Sequence, residues 1–499
     1  MQAEALRARL EREGVLVRWP DAAPAVIPAV TTDSRRVERG ALFLAYRGTA
    51  FDGHEFVAAA ARAGAAMALV ERPAPGVAIP QAVVRDGRRA AAVAAAAFYG
   101  SPAASLVLLA VTGTNGKTTT VHLLRHLFGD RGRAGSIGTL GAIDGSGRAL
   151  PAVGSLTTPG PVELQAALAA LKHDGVQTVA MEASSHSIHQ ERIAGLAFQA
   201  AVFTNLTRDH LDYHGDEQHY LAAKIALDRF LAPGGYQVVN AGDPAWRALA
   251  PRAERVTFGL GEGADLRAVD VEGGAGGMRF RLVWRGGAAA PVALPLLGGF
   301  NVENALGAAA TALALGRTLE DVAARLSAAP QVPGRMERLA TAPCVVLRDY
   351  AHTPDALERA LAALRPLTRG RLVVLFGAGG DRDRGKRPMM GAIAAAQADL
   401  AIVTSDNPRT EDPERILDEV EAGMGATPHL RIVDRRAAIL RALAIARPED
   451  TLLLAGKGHE TYQVIGHEQV PMDEREIVAA AVGDPASAPP GGGREGRGA

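Results

Sequence analysis

The segment Gly113-Thr114-Asn115-Gly116-Lys117-Thr118-Thr119 concentrates more potential chemistry than any other in this sequence. Glycines allow backbone N–H groups to close around phosphate oxygens, and a helix starting there points its positive end at them. Lys117 can reach β- and γ-phosphates, and the Thr118 hydroxyl suits Mg²⁺. Val111 stands where the general phosphate-loop pattern has its first glycine, so this is a shorter form of that loop. A Gly-rich turn without a nucleotide is the alternative. The apolar run Leu106–Val111 before the loop and the helix expected after it favour ATP.

Other segments carry acids, bases and cations. Glu182 closes an apolar run, where a carboxylate can hold Mg²⁺, an ion that prefers hard oxygen ligands; alone it could equally be a cap. His210 lies in Thr207-Arg208-Asp209-His210-Leu211-Asp212-Tyr213-His214. A phosphate or second-metal role and simple solvation of a polar loop explain that density equally well. Ser185 and His186 are adjacent, but no G-x-S-x-G elbow surrounds them, which weakens a hydrolase reading. Toward the C-terminus, Gly377–Arg382, Asp406-Asn407-Pro408-Arg409 and Gly456-Lys457-Gly458-His459-Glu460 bring further charges.

These polar segments share one placement: each follows a short apolar run. Thr178–Met181 precedes Glu182, Ala201–Phe203 precedes Thr204, Cys344–Leu347 precedes Asp349, Leu372–Phe376 precedes Gly377, Leu400–Val403 precedes Asp406, and Leu452–Leu454 precedes Gly456. Strands alternating with helices imply parallel, doubly wound sheets, which bind ligands beyond the carboxyl ends of their strands. Two such rows imply a site shared between two domains. The expected fold is α/β with three domains: a smaller N-terminal α/β domain over 1–102, a central phosphate-loop domain with a doubly wound parallel sheet over 103–335, and a C-terminal Rossmann-like domain over 336–482. A tail, 483–499, rich in Pro, Gly and Arg, is too poor in apolar residues to bury a core.

Length and composition agree. A chain of 499 residues exceeds one ordinary core. Lys plus Arg balance Asp plus Glu at 54 each, which gives no electrostatic footprint for nucleic acid or an anionic membrane. The single cysteine, Cys344, excludes an internal disulfide and Cys-rich metal sites, and its apolar neighbours suggest a core thiol. The first residues lack the apolar region of a signal peptide, and no stretch approaches the roughly 20 apolar residues of a membrane span. A cytoplasmic monomer acting on small molecules is the expectation.

The loop at Gly113–Thr119, the Glu182-Ala183-Ser184-Ser185-His186-Ser187 block, Asn205–Asp212, Phe300–Asn304, Pro333–Glu337 and Asp349–Asp355 together resemble the Mur ligases, which add amino acids to a UDP-linked muramoyl precursor. The resemblance spans the chain in the family's order. It implies ATP-dependent joining of a carboxylate to an amine through an acyl-phosphate. Thr32-Asp33-Ser34-Arg35 is similar to the family's UDP-binding segment, and Asp406–Arg409 to the segment of its diaminopimelate-adding members. Carried over, the family's roles give Ser34 to the UDP moiety, and Thr157, Thr158, Ser185, Gln190 and Arg192 to the muramoyl dipeptide. Asn304, Arg335 and Asp349 join Gly113–Thr119 in holding ATP. Lys117, Glu182, His210 and Lys224 are the expected catalytic residues. The expected magnesium set is Thr118, Glu182, His210 and Lys224, with Lys224 carbamylated. Without the resemblance, Lys224 would be taken for a helix-surface residue.

Arg382, Asp406, Asn407, Pro408, Arg409, Gly456 and Glu460 are the expected meso-diaminopimelate contacts. The chemistry supports this, because a guanidinium grips the distal carboxylate that lysine lacks, and Glu460 suits the distal ammonium. Three alternatives compete. A lysine-adding relative is disfavoured by Arg409, a folylpolyglutamate synthase by the region of Ser34, and a non-catalytic ATP-driven switch by the charges at Arg382, Arg409 and Glu460.

Overall fold

The apolar runs become strands buried on both faces. In the strand Leu372–Phe376, the side chains of Leu372, Val374 and Phe376 enter one apolar cluster while Val373 and Leu375 enter another. A continuous apolar strand of this kind belongs in a parallel sheet covered by helices on both sides. The computed structural model describes residues 1–49, 51–151, 156–274 and 276–483. The rest of the expected tail, 484–499, lies outside the described residues. Among the described residues, no helix is long and apolar enough to cross a membrane.

The chain divides into two compact units. The first comprises Met1–Val269, Arg281–Ala290 and Glu303–Leu326; the second comprises Asp270–Phe280, Pro291–Val302 and the residues from Ser327 onward.

The first unit opens with a five-stranded sheet built from β1 (Leu16–Arg18), β2 (Val30–Thr31), β3 (Leu42–Leu44), β4 (Met67–Val70) and β5 (Gln81–Val84). Its order is β1-β5-β4-β3-β2, parallel except for β1 against β5. Helices α1 (Ala3–Arg12), α2 (Val57–Arg62) and α3 (Gly87–Phe98) cover it. The next sheet contains β6 (Val107–Thr112), β7 (Ala134–Gly138), β8 (Gly141–Ile143), β9 (Thr178–Glu182), β10 (Phe198–Phe203), β11 (Leu231–Asn240) and β12 (Arg255–Gly259). Their order is β12-β11-β10-β6-β9-β7-β8, parallel apart from the β7–β8 hairpin. Strands β13 (Leu266–Gly274), β14 (Gly277–Trp284) and β15 (Ala288–Leu294) follow in the chain, and β13 pairs with β12 through Leu266 and Arg267. Helix α4 (Lys117–Leu127) starts directly at the glycine loop, and α5 (Pro161–His173) packs against α3. Ala92 of α3 joins the core of the β6 sheet, and Val162 of α5 joins the core of the first sheet.

The second unit holds a six-stranded sheet of β16 (Glu337–Ala340), β17 (Val345–Asp349), β18 (Leu372–Phe376), β19 (Leu400–Val403), β20 (His429–Arg431) and β21 (Thr451–Ala455). The order is β16-β17-β21-β18-β19-β20, with only β16 antiparallel. Helices carrying Leu357, Met390 and Ile416 cover one face, and helices carrying Ile439 and Ile477 cover the other, as a doubly wound sheet requires. Cys344 is buried beside Val346 and Leu452 in the second of these clusters, the core position its neighbours suggest. A hairpin of β22 (Tyr462–Ile465) and β23 (Glu468–Pro471) follows β21.

Phe376 is fully buried in mid-sheet, so Phe376→Ala should destabilise the protein by about 3–5 kcal/mol. Val17, 60% exposed, should tolerate serine within about 0.5 kcal/mol. Urea unfolding of both variants checks this; equal losses would contradict the core assignment.

Candidate active site

In the first unit, register aligns the functional loops. Val111 pairs with Glu182, and Thr112 pairs with Phe203, so the glycine loop leaves its strand beside Glu182 and beside the Thr204–Asp209 segment. Gly113 (φ 144°) and Gly116 (φ 85°) lie in the left-handed half of backbone space, and a Cβ on either would collide, with Thr204 Oγ1 and Asn304 Oδ1 respectively. Glycine is therefore obligatory at both positions. Asn304 thus stands against the loop.

The loop is braced from the next strand. Thr114 N–H donates to the Asn205 carbonyl (2.7 Å), Asn115 N–H donates to Asn205 Oδ1 (2.9 Å), and the Thr204 hydroxyl donates to the Asn115 carbonyl (2.7 Å). Thr118 and Thr119 are buried in the first turn of α4. Two ammonium groups converge on one carbonyl: Lys117 Nζ donates to Gly113 O (2.9 Å) and Thr114 O (2.7 Å), and Lys224 Nζ donates to the same Gly113 O (2.6 Å).

Lys224 is not a helix-surface residue. It is 1% exposed, and its ammonium sits 4.4 Å from the Tyr220 ring centroid, one turn back on the same helix face. Burial above all, and then the neighbouring Lys117, hold its pKa well below the ordinary lysine value. That favours the neutral amine, the form that carbamylation requires.

Glu182 is buried at the end of β9, and Thr139 satisfies both its oxygens, through its N–H (2.8 Å) and its hydroxyl (3.2 Å). The same hydroxyl reaches Thr157 Oγ1 (3.4 Å). The Thr158 hydroxyl donates to Glu182 O (2.8 Å) and accepts from Ser184 N–H (3.1 Å). Arg192 donates to Thr158 O (2.9 Å), and its Nε donates to Gln190 Oε1 (3.1 Å). The structure therefore links Thr157, Thr158, Glu182, Gln190 and Arg192 in one network. Ser185 joins a neighbouring cluster through His214 Nε2 (3.0 Å), where the His186 ring lies 4.8 Å from His210 and 4.1 Å from Tyr213. Burial lowers the pKa of His210. Ser34, half-buried, opens a short helical turn capped by Asp33, apart from this network.

Among the described residues, no three His, Cys, Asp or Glu side chains gather as a metal site. The expected magnesium set is mixed: the Thr118 hydroxyl and Glu182 carboxylate suit that ion, whereas an unmodified lysine supplies no oxygen.

In the second unit the carboxyl ends again coincide, with Asp349 paired to Ala455, Leu375 to Leu454 and Phe376 to Val403. Arg335 lies over the Tyr350 ring (4.8 Å), while the half-buried Asp349 accepts from Met336 N–H (2.7 Å). Burial raises the Asp349 pKa, and Arg335 opposes the rise.

The loops after β18, β19 and β21 interlock. Arg409 Nη1 donates to the Gly380 carbonyl (2.7 Å), and a Cβ on Gly379 would lie 2.9 Å from that nitrogen and 3.8 Å from Arg382 Cγ. The two arginines are therefore neighbours. Gly456 (φ 112°) leaves room for Asp406, whose Oδ2 would lie 2.6 Å from an added Cβ. Asn407 Nδ2 donates to Glu460 Oε2 (3.0 Å), and Pro408 is buried beside it. Lys457, which the charge pattern did not single out, is fully buried and donates to Asn407 Oδ1 (2.8 Å) and Glu460 Oε2 (2.6 Å). Glu191, His210, Met336, Asp381 and Arg409 all have left-handed backbone (φ 46–56°), a costly state for side chains with a Cβ that concentrates at functional loops.

Fold, phosphate loop and interlocked strand-end charges define a class. Three family models match in order: "Mur ligase family, catalytic domain" over 26–99, "Mur ligase middle domain" over 111–312 and "Mur ligase, glutamate ligase domain" over 334–458. The chain belongs to the Mur ligase family. Within it, relatives named UDP-N-acetylmuramoyl-L-alanyl-D-glutamate–2,6-diaminopimelate ligase are similar over nearly the whole chain. The protein from Geobacillus kaustophilus is 45% identical over 470 residues, covering 91% of this chain and 95% of its own. That from Gloeobacter violaceus is 46% identical over 490 residues, covering 97% and 99%. A solved structure described by the same enzyme name aligns with a TM-score of 0.66 at 34% identity, covering 95% of this chain and 98% of its own. A folylpolyglutamate synthase from Mycobacterium tuberculosis, complexed with ADP, shares the fold at 21% identity and a TM-score of 0.61, over 74% of this chain and 91% of its own.

Burial pushes the His459, His186 and His214 imidazoles down to about 4, helped by Arg335 beside the first and by neighbouring histidines beside the other two. They stay neutral when folded but gain protons near pH 6.5 when unfolded, so stability should fall as pH drops from 6.5 toward 4. Melting temperature against pH tests this, and His459→Gln should flatten the slope. A flat wild-type profile across that window contradicts it.

Proposed function

We propose that this protein is the ATP-dependent ligase that adds meso-2,6-diaminopimelate to UDP-N-acetylmuramoyl-L-alanyl-D-glutamate in peptidoglycan precursor synthesis. The observation that carries the reading is the interlocked set Arg382, Asp406–Arg409, Gly456 and Glu460, in a chain 45% identical to relatives of that name. A diamino dicarboxylic acid presents at its distal end one carboxylate and one ammonium. Arg409, with Arg382 beside it, suits the first; Glu460 suits the second.

The reaction has two stages. The γ-carboxylate of the D-glutamyl residue attacks the γ-phosphorus of ATP, giving an acyl-phosphate and ADP. The free amine of diaminopimelate then attacks the acyl carbon, and phosphate leaves with the formation of an amide. Two anions meet in the first stage, so the protein's task is positioning and charge neutralisation.

Lys117 and the N–H groups of Gly113–Thr119 receive the phosphates; Asn304, Arg335 and Asp349 complete the nucleotide's surroundings. Thr157, Thr158, Ser185, Gln190 and Arg192 hold the muramoyl dipeptide, with Ser34 at its uridine end. Magnesium would be held by Thr118 and Glu182, with His210 and a carbamylated Lys224 in support, and would neutralise phosphate charge. Residues 1–102, 103–335 and 336–482 would be the three functional domains. Consumption of ATP and a nucleotide-linked precursor suits a cytoplasmic enzyme, which we take to be a monomer.

Purified protein given ATP, Mg²⁺ and the UDP-muramoyl dipeptide should yield a tripeptide product by mass with meso-diaminopimelate and not with L-lysine. Preference for lysine would remove the role given to Arg409. No product with either would remove the reading and reopen the folylpolyglutamate-synthase alternative.

A further inference from the structure

Lys457 is a cation where a cation is costly. Its side chain is fully buried, yet it lies in a loop that otherwise consists of glycines and the polar His459 and Glu460. A buried ammonium persists only when its surroundings return the lost hydration as hydrogen bonds and opposite charge. Here Nζ reaches Glu460 Oε2 at 2.6 Å and Asn407 Oδ1 at 2.8 Å, with Asp406 Oδ1 at 3.9 Å. All three partners belong to the amino-acid pocket proposed above, on which this inference rests.

We infer that Lys457 is a positioning and specificity-determining residue: it orients Asn407 and Glu460 and sets the pocket's charge to accept one distal ammonium. Two features of the geometry support this.

First, Asn407 can face either way, and its direction decides what the pocket offers. Oδ1 accepts from Lys457 Nζ and from Val464 N–H, each at 2.8 Å. Both are donors, so the carbonyl end of the amide must face them and Nδ2 must point to Glu460. Lys457 and the backbone of β22 thereby fix the rotamer before substrate arrives. Both hydrogen bonds to Glu460 converge on Oε2, which presents Oε1 to an incoming ammonium.

Second, Asp406 and Glu460 are two carboxylates in a largely desolvated space, with side chains 7% and 17% exposed. Lys457 offsets one of these charges. The remaining single negative charge matches one ammonium; without the lysine, two uncompensated acids would share the pocket, and each would disorder the other's contacts. Replacing Lys457 by a neutral residue of similar length should therefore harm recognition of the diamino acid more than turnover.

The test is a double-mutant cycle on the full-length enzyme, at saturating ATP and UDP-muramoyl dipeptide, using Lys457→Met, Glu460→Gln and the pair combined. Each single variant should raise the KM for meso-diaminopimelate at least about 30-fold, the scale of breaking a buried charged pair. kcat should stay within about threefold. The double variant should be no worse than the poorer single, since Lys457 has no second charge to compensate once Glu460 is neutral.

Should Lys457→Met alone fail to fold while the double variant folds, Lys457 neutralises Glu460 for folding rather than for recognition, and the inference is overturned. Multiplying effects in the double variant, or a Lys457→Met enzyme with unchanged KM beside an impaired Glu460→Gln, would overturn the inference and leave the pocket standing. A Glu460→Gln enzyme with unchanged KM would remove the pocket assignment and the inference with it. Loss of folding in both lysine variants would reduce Lys457 to a structural role and overturn the inference.

Discussion

Everything functional in this molecule depends on the register of parallel strands. In a parallel sheet each strand runs the same way, so one pairing offset determines which loops emerge together. With Val111 opposite Glu182 and Thr112 opposite Phe203, a glycine loop, a carboxylate and a Thr–Asn brace leave the first unit's sheet at one level. In the second unit Asp349, Ala455 and Val403 end their strands at a common level, and three charged loops follow. A slip of one residue would also turn every side chain to the opposite face, and both faces are filled core, so packing enforces the alignment. The apolar clusters on either side of Leu372–Phe376 thus position chemistry they never touch.

The second constraint is charge held without water. Arg387, Arg435 and Lys457 are almost wholly buried, and each is tied to backbone carbonyls or carboxylates. Arg387 shows the pattern: it donates to the Gly379 carbonyl (3.2 Å) and pairs with Glu411 and Glu419. Glu411 in turn accepts from the Asp381 backbone. The loop that carries Arg382 is thereby held from beneath by an arginine that never reaches solvent. Such pairs contribute little net stability but strongly penalise any arrangement that leaves one member alone. They therefore select one loop conformation, which a binding site needs more than extra stability.

Much of this was legible in the amino-acid order. Strand-then-motif alternation gave the sheets, and the spacing of Gly113, Gly116 and Lys117 gave the phosphate loop, because glycine and lysine there answer to backbone geometry. Other features depend on tertiary packing and leave no local trace. Lys224 has the appearance of a solvated helix residue until Tyr220, four positions earlier, is seen to share its buried face. Thr139, which holds both oxygens of Glu182, lies on a different strand connection and matches no motif. The left-handed backbone at His210, Asp381 and Arg409 has no local signal, since none of the three is glycine. The burial of Lys457 is hidden for a related reason: a lysine between glycines suggests exposure, and only the approach of Asn407 from another loop reveals otherwise.

The packing of α3 against α5 has an implication for descent. Ala92 from the first sheet's helix completes the second sheet's core, and Val162 from the second sheet's helix completes the first. Each layer thus lends the other a piece of its interior. A lineage that recombined one of these layers with a foreign counterpart would inherit a void on one side and a clash on the other. The two layers are therefore expected to diversify together, with small-residue choices along α3 tracking those along α5, while surface loops drift independently.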